Sequence, residues 1–475
     1  MTYTPAESET QPSTTGSLMS LPEELIERIL LFATTPGRAA LAATSKFFSR
    51  LATAPLYRDI AWIWEKILGG DLSLKLLLRT LSERPELALA IKNLDIATDE
   101  GSFPLFPNLA RHLSEEEARL ERYHIARSEF GPRLDAIRRL PPKEYLQDVN
   151  GTLALLILQT SNIQSLRLGF GAISCQFFVS RIVENGLMNE MATYPFSRFN
   201  SLTHIELPPD FDNRVQPFTS RSTLVGIPPI NFTTCLASFY GPAVQSITMT
   251  CPEPRIFSWL DNPPVASRLQ NLVLHHSDAK EETLGEFLSV APNLKKLKYG
   301  FWCQVDNPYG TSEYLTCSKL CQTLDQVNST LVELIISVNF FTFSSLDINE
   351  DGPFGLKGCV GSLCHFRTLE YLEIPLVVLL GWSPQSAPPL RDVLPSTLRK
   401  LCLTDDMSTF ESWEWTEVDV LEQVKCSLIN CETNFPNLKS IEVRDQHGGR
   451  VWNTYLTSQI TSICHEAGLP GDTSS

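Results

Sequence analysis

Cysteine is the residue best suited to metal or redox chemistry in this 475-residue sequence, and it occurs twelve times. Three pairs lie close together along the chain: Cys317 with Cys321, Cys359 with Cys364, and Cys426 with Cys431. None has the two-residue spacing of common zinc knuckles, and no matching pair follows at a regular distance. Others, such as Cys251 and Cys402, lie in apolar segments, where a thiol packs as a small hydrophobic side chain. The cysteines therefore predict core packing and no metal site.

The sequence motifs of the common enzyme classes are missing. There is no Gly-x-Ser-x-Gly elbow, Walker loop, dinucleotide fingerprint or His-Glu-x-x-His pair. His275-His276 follows a predicted strand and suits either a binding surface or, more simply, a plain surface pair. Asp405-Asp406 is typical of a turn, and Trp413–Glu417 suits either a partner motif or a loop anchored by aromatic burial. We therefore expect no catalytic site and no cofactor.

The charge balance limits the classes of partner. The net charge is −15, which disfavours unaided binding to nucleic acid or to anionic lipid. No apolar run reaches the roughly 20 residues that span a bilayer. Residues 1–17 are rich in Thr, Ser, Pro and Glu without a secretory signal, so we expect a disordered tail. These features predict a protein of the cytoplasm or nucleus with no nucleic acid or membrane partner.

The first elements after this tail read as short helices. Ser20 and the glutamate three residues later have the spacing of a capping box, and Pro22 suits a first helical turn. Apolar residues then recur at helical spacing from Leu21 to Phe32. The pattern predicts a helix that ends before the Pro-Gly step at 36–37.

Two further short helices are predicted next. The second covers about 38–44, and the third covers about 45–53 and is ended by Pro55. Three helices this short cannot bury all of their apolar surface among themselves. The surplus predicts a docking face or a partner site.

Taken in order, these residues resemble an F-box. The family pattern opens with Leu-Pro and an acidic residue, continues with an Ile-Leu step, a small-residue helix and a basic-aromatic step, and closes with Leu-Trp or Leu-Tyr. The corresponding segments are Leu21-Pro22-Glu23-Glu24-Leu25, Ile29-Leu30, Leu41, Ser45-Lys46-Phe47-Phe48 and Pro55-Leu56-Tyr57. The chain departs from the pattern at Arg38, where an acidic residue is common, at Thr44-Ser45 in place of Val-Cys, and at Phe48 in place of Trp.

The resemblance implies a substrate-recognition subunit of a ubiquitin ligase. F-box modules bind a Skp-type adaptor, and through it a cullin, while other subunits transfer the ubiquitin. The adaptor-binding positions of the family match Leu21, Pro22, Leu25, Ile29 and Leu30, and the joint is completed by Leu41, Phe47, Leu56 and Tyr57. Two alternatives remain: a non-degradative scaffold that binds the adaptor, or an enzyme built on an irregular α/β body.

A short apolar pattern recurs beyond a connector over 61–90 that is predicted to be helical. Each unit has an apolar residue, two others, an apolar residue, one other and an apolar residue. The ten units begin at Ile91, Ile163, Leu202, Val244, Leu269, Leu294, Leu331, Leu369, Leu398 and Leu438. The last two apolar residues alternate and can face one side of a short strand, and the first packs at the turn before it. Stacked units would bury these faces in a shared core.

This pattern resembles the strand signature of a leucine-rich repeat. Several units are further apart than the roughly 20–29 residues of regular repeats, so they carry insertions. The predicted fold class is α/β: an all-α F-box module over 18–60, then an irregular leucine-rich-repeat-like solenoid of short parallel strands and helices over 91–465. Within it we expect an insertion over about 97–160, with a flexible tail over 466–475. An ordinary α/β domain is the alternative. Specificity for an unknown protein substrate is expected on exposed strand positions and insertion loops.

Overall fold

The computed structural model describes most of the chain between Leu18 and Leu469. The described residues are 18–63, 73–97, 153, 156–169, 177–188, 199–207, 232–254, 256–304, 314–341, 355–408, 410, 412–429, 431–445, 452 and 454–469. They form a mixed α/β structure, in which three N-terminal helices precede an 11-stranded parallel sheet. The predicted tail over 1–17, most of the predicted insertion and the end of the C-terminal tail lie outside these residues.

The first three helices cover Glu23–Phe32 (α1), Thr35–Thr44 (α2) and Lys46–Arg58 (α3). Three helices were expected, but their ends differ from the prediction. Helix α1 has Pro22 as its N-cap and no side-chain capping bond, because Leu18–Ser20 forms a separate 3-10 turn before it. The predicted capping box is therefore wrong.

Two prolines lie inside helices rather than between them. Pro36 is in the first turn of α2, where the Thr34 hydroxyl accepts a hydrogen bond from the Gly37 backbone N–H at 3.3 Å. That turn tolerates proline because its N–H groups have no partner within the helix. Pro55 is inside α3, which continues past it, so the prediction that it ends the helix is wrong. The Arg38 side chain donates to the Pro55 carbonyl oxygen at 2.7 Å and supports this irregular turn.

The three helices have a small core of their own. Its buried members are Ile26, Leu30, Phe48, Leu51 and Ala52. This core is separate from the much larger core of the body, the part of the chain from residue 59 onward. A unit of this size buries little apolar surface, so its polar contacts contribute a large share of its stability. Residues 18–58 are called the three-helix module below.

The body begins with a strand, not with a helical connector. Strand β1, Asp59–Ile63, follows α3 directly and pairs in parallel with β2, Asn93–Ala97. The predicted helical connector over 61–90 is therefore wrong at its start. Its later part is helical, with Ser73–Glu83 (α4) and a 3-10 helix over Pro85–Ala90. The predicted boundary at residue 60 thus falls inside a strand, and the chain passes from module to body without a linker.

All ten predicted units form strands of one sheet. After β1 and β2 come Ser165–Leu168 (β3), His204–Leu207 (β4), Ser246–Met249 (β5), Asn271–Ser277 (β6), Lys296–Gln304 (β7), Glu333–Phe341 (β9), Tyr371–Pro375 (β11), Lys400–Thr404 (β12) and Ser440–Arg444 (β13). The strands lie in chain order and every neighbouring pair is parallel. Leu315–Thr316 (β8) and Leu356–Lys357 (β10) form a separate two-stranded sheet.

The units also share one register. The middle apolar residues pair from strand to strand, in the order Leu94, Leu166, Ile205, Ile247, Leu272, Leu297, Leu334, Leu372, Leu401 and Ile441. These residues and the first residues of the units are buried. The apolar pattern therefore builds one continuous core along the sheet.

Helices fill the returns between strands, and one more follows the last strand. They are Phe177–Met188 (α5), Phe232–Ala237 (α6), Glu281–Ser289 (α7), Cys317–Leu324 (α8), Leu376–Leu380 (α9), Leu390–Val393 (α10), Glu417–Leu428 (α11), Cys431–Asn434 (α12) and Thr454–Glu466 (α13). In the part of the chain that is described, none is both long and apolar enough to cross a membrane.

Candidate functional site

Helix α1 and the turn before it carry a dense group of exposed apolar side chains. Thirteen large hydrophobic residues are exposed in the described chain, and six of them lie between residues 19 and 32. Leu25, Ile29 and Phe32 follow each other at helical spacing on one side of α1, Leu21 lies just before the helix, and Phe32 is 87% exposed. We call these four residues the α1 face.

The α1 face lies beside a second apolar side of the same helix. Ile26 and Leu30 point into the module core and are almost completely buried. Amphipathic surface helices normally have one apolar side, which packs on the core. Burying one large apolar side chain fully is worth about 1.5–3 kcal/mol, so an uncovered row of four is a candidate docking surface.

The residues predicted to bind the adaptor do not all lie on one exposed surface. Leu21, Leu25 and Ile29 lie on the α1 face, and Pro22 is exposed at its start. Leu30 does not, because adjacent residues of a helix point about 100° apart and Leu30 is fully buried. Its assignment to the adaptor contact is corrected: Leu30 holds the module core.

The four predicted residues outside α1 are half-buried. Leu41 and Phe47 pack against the module core, and the Phe47 ring meets Phe48 edge-on with centroids 5.3 Å apart. Tyr57 instead packs against the core of the body. Tyr57 thus belongs to the junction between module and body, and Leu56 lies next to it in α3.

Arg38 connects the α1 face to the rest of the protein. Its buried guanidinium donates to the carbonyl oxygens of Leu30 at 2.8 Å and Leu31 at 3.0 Å, besides that of Pro55 at 2.7 Å. The last four carbonyls of a helix lack partners within it, so Arg38 supplies bonds that α1 needs at its end. The same group lies 3.6 Å from the Asp59 carboxylate on β1.

Sequence reasoning noticed Arg38 only as a departure from the family pattern. Arg38 is the one charged residue of α2, whose other residues are small, apolar or Thr. That isolation was the available signal, since a lone charge among small residues suggests a buried, paired group. The structure makes it the residue that holds the end of α1, the proline turn of α3 and the first strand together.

The second candidate surface is the side of the sheet that faces away from the core, called the outer face. Its middle row follows the strand register through Asp95, Arg167, Glu206, Thr248, Val273, Lys298, Ile335, Glu373, Cys402 and Glu442. Arg167 at one end lies 3.5 Å from the Asp95 carboxylate and 3.1 Å from that of Glu206. The one cation at this end therefore already has two carboxylate partners.

The other end of the row is also internally paired. The Glu373 carboxylate accepts a hydrogen bond from the Tyr371 hydroxyl and pairs with Arg444, both at 2.7 Å. Burial, and then the hydrogen bond to Glu373, raise the pKa of Tyr371. Burial raises the pKa of the Cys402 thiol to about 12, although the charge of Arg444 opposes this. A thiol with that pKa is protonated and unreactive at neutral pH, which favours a structural role.

The remaining aromatic and acidic candidates from the sequence hold loops in place. The Trp415 indole N–H donates to the Gly381 carbonyl oxygen at 2.8 Å, so the aromatic-anchor interpretation of 413–417 agrees with the structure. The Asp406 carboxylate accepts from the Val338 backbone N–H at 2.8 Å. His276 has a positive φ of 41°, where the register between β6 and β7 shifts. Among the described residues, no three Cys, His, Asp or Glu side chains converge as a metal site requires.

Glu281, at the start of α7, is a buried carboxylate that the sequence did not single out. It accepts a hydrogen bond from the Thr316 backbone N–H. Burial, the largest cause, raises its pKa. Its neighbour Glu282 is exposed and pairs with Lys319 at 2.7 Å, and this hydrogen bond lowers the pKa of Glu282.

We expect Glu281→Gln to raise the melting temperature at pH 7.5, because glutamine can still accept from Thr316 without a buried charge. A carboxyl whose pKa is higher in the folded state makes the folded protein less stable as pH rises above about 4.3, which is the pKa of glutamate in the unfolded chain. The advantage of the variant should therefore shrink toward pH 4 in thermal unfolding. Glu282→Gln is the matched control and should be slightly destabilising at pH 7.5. A difference in melting temperature between Glu281→Gln and the wild type that does not vary with pH would contradict this account.

Two comparisons of the sequence with known proteins found no match. No family model matches the chain, and no curated protein matches its sequence.

Proposed function

We propose that this protein is the substrate-recognition subunit of a Skp–cullin–F-box ubiquitin ligase. The α1 face binds a Skp-type adaptor and the body binds a protein substrate, while other subunits carry out the transfer. The observation that carries the proposal is the set of exposed apolar residues Leu21, Leu25, Ile29 and Phe32, on and just before the first helix of a three-helix module. The protein itself is non-catalytic in this proposal, and it works in the cytoplasm or nucleus, where thiols such as those of its cysteines stay reduced.

The body suits the receptor part of this role. We interpret it as an irregular leucine-rich-repeat-like solenoid, because each unit contributes one parallel strand in chain order and one shared apolar register. Architectures of this kind offer an extended surface on which partners bind. Variation on the exposed strand positions changes such a surface without disturbing the core.

The junction between module and body also supports the proposal. A receptor must hold its cargo at a set distance from the catalytic end of the ligase. Here α3 passes into β1 without a linker, the Lys92 backbone N–H donates to the Arg58 carbonyl oxygen at 2.9 Å, and Arg38 bridges α1 to Asp59. These contacts favour a fixed orientation of the α1 face relative to the sheet.

Replacing both Leu25 and Ile29 with Asp tests the adaptor contact. We expect binding to a purified Skp-type adaptor to weaken by at least about 100-fold, since each carboxylate would be desolvated in an apolar interface. Isothermal titration calorimetry measures the affinity. Val418 and Ile429, which are exposed on and beside α11 of the body, supply the control when both are changed to Asp. That control should bind like the wild type.

Two outcomes would reject the proposal. One is a wild-type protein that does not bind the adaptor, and the other is a Leu25→Asp, Ile29→Asp variant that binds as well as the wild type. Adding a cullin then separates the ligase role from the alternative. If the adaptor binds but no cullin joins the complex, the protein and its adaptor form a scaffold outside degradation.

A further inference from the structure

The centre of the outer face differs from its two ends. Its middle row runs from Thr248 on β5 through Val273 on β6 and Lys298 on β7 to Ile335 on β9. Toward its ends the row has carboxylates that pair with cations, either within the row at Arg167 or beside it at Lys400 and Arg444. The centre is instead a half-buried strip of two aliphatic residues, one threonine and one cation.

Lys298 is unusual among the cations of this face. The described strands place five Lys or Arg side chains there, and four of them have a carboxylate partner. Those four are Arg167 with Glu206, Lys296 with Glu333, Lys400 with Glu442, and Arg444 with Glu373. Lys298 forms no ion pair with any residue that the structure describes.

The neighbours of Lys298 decide which anion would suit it. Val273 and Ile335 lie directly across from it in the two adjacent strands, and all three are half-buried. A cation between aliphatic side chains is partly desolvated, so an anion that reaches it interacts more strongly than it would in open solvent. The same aliphatic neighbours give apolar contact to whatever flanks the anion.

We propose that this strip, Thr248–Val273–Lys298–Ile335 across four strands, binds a protein segment that presents a carboxylate flanked by aliphatic side chains. The carboxylate pairs with Lys298, and its flanking residues pack on Val273 and Ile335. This inference rests on the proposed function in one respect, since that function gives the body a protein to recognise.

A carboxylate fits this site better than a phosphate. Phosphate recognition generally uses clustered arginines that bind bidentately, and the strip holds one lysine. The other cations of the face are already paired with carboxylates, and the protein carries a net charge of −15, which repels a dianion. A single carboxylate matches the single charge that is available.

Selection from a phage-displayed random peptide library tests the inference on the purified full chain. We expect enriched peptides to contain Asp or Glu beside Leu, Ile or Val. The selected peptides should bind Lys298→Glu at least about tenfold more weakly, because a desolvated attraction becomes a repulsion. Lys298→Met keeps the aliphatic stem and should also bind the selected peptides more weakly than the wild type does. Lys295→Glu, an exposed lysine just before β7, is the matched control and should bind normally.

Several results would overturn the inference. Enriched peptides without acidic residues would do so, as would equal binding by Lys298→Glu, Lys298→Met and the wild type. A phosphoserine peptide that binds more tightly than its Glu counterpart would point to phosphopeptide recognition instead. The adaptor plays no part in the selection, so a failure of adaptor binding and a failure of this strip to bind acidic peptides are distinguishable.

Discussion

Replacing Arg38 with methionine should unfold the three-helix module and leave the body folded. The guanidinium donates to three backbone carbonyl oxygens, at 2.7–3.0 Å, and methionine donates to none. A buried carbonyl left without a donor costs about 1–3 kcal/mol. The bond to Leu30 is buried and those to Leu31 and Pro55 are partly buried, so the loss at Leu30 is the largest of the three. A module with five buried core residues has little stability to set against that loss.

Hydrogen exchange measured by mass spectrometry would locate the effect of Arg38→Met. Amides of α1, α2 and α3 should exchange fast, while those of the central strands stay protected. Arg50→Met is the matched control, because Arg50 lies in the same module but is exposed; it pairs with Glu23 at 2.6 Å and lies over the Phe47 ring, 5.7 Å from its centroid. An exposed pair of this kind contributes about 0–1 kcal/mol. Similar exchange in both variants would show that Arg38 has no special role.

Replacing Leu334 with alanine should cause a large loss of stability in the body. Leu334 is fully buried and pairs in register with Leu297 on one side and Leu372 on the other. Strands on both sides hold the backbone, so the cavity cannot collapse, and the expected cost is about 2–5 kcal/mol. Urea denaturation monitored by circular dichroism measures the free energy of unfolding.

Ile335→Ala gives the comparison for that experiment. Ile335 is the next residue of the same strand, but it is half-buried on the outer face. We expect its replacement to cost about 1 kcal/mol, since only part of its surface returns to water. Equal losses at the two positions would mean that the outer face is buried as deeply as the core, which would also remove the surface proposed to bind acidic segments.

The strands of the body were predictable because their signal is local and repeated. The first unit was missed, although Tyr57, Ile60 and Trp62 have the same spacing and pack against the same core. The reason is that Tyr57 also closes the F-box pattern, so the same residue belongs both to that pattern and to the repeated apolar unit of the body. A module boundary drawn from either pattern alone divides a continuous stretch of chain.

The details of the module depended on contacts that sequence spacing does not show. Leu30 and Ile29 are adjacent and equally apolar, and only packing against α3 decides which of them is buried. Arg38 bonds to backbone oxygens 7, 8 and 17 residues away, and any residue type presents such an oxygen. The α1 face could therefore be predicted in outline, whereas the residue that fixes its end could not.

The unbroken passage from α3 into β1 has a consequence for synthesis. Each strand of the sheet pairs only with strands that neighbour it in chain order, so contacts between strands form among segments made one after another. The three-helix module leaves the ribosome before the sheet does, and β1 then offers a prepared edge to β2. Growth can continue in this way strand by strand, because each new strand pairs with the strand of the sheet made before it. The three-helix module would then be folded before the last strands of the sheet exist.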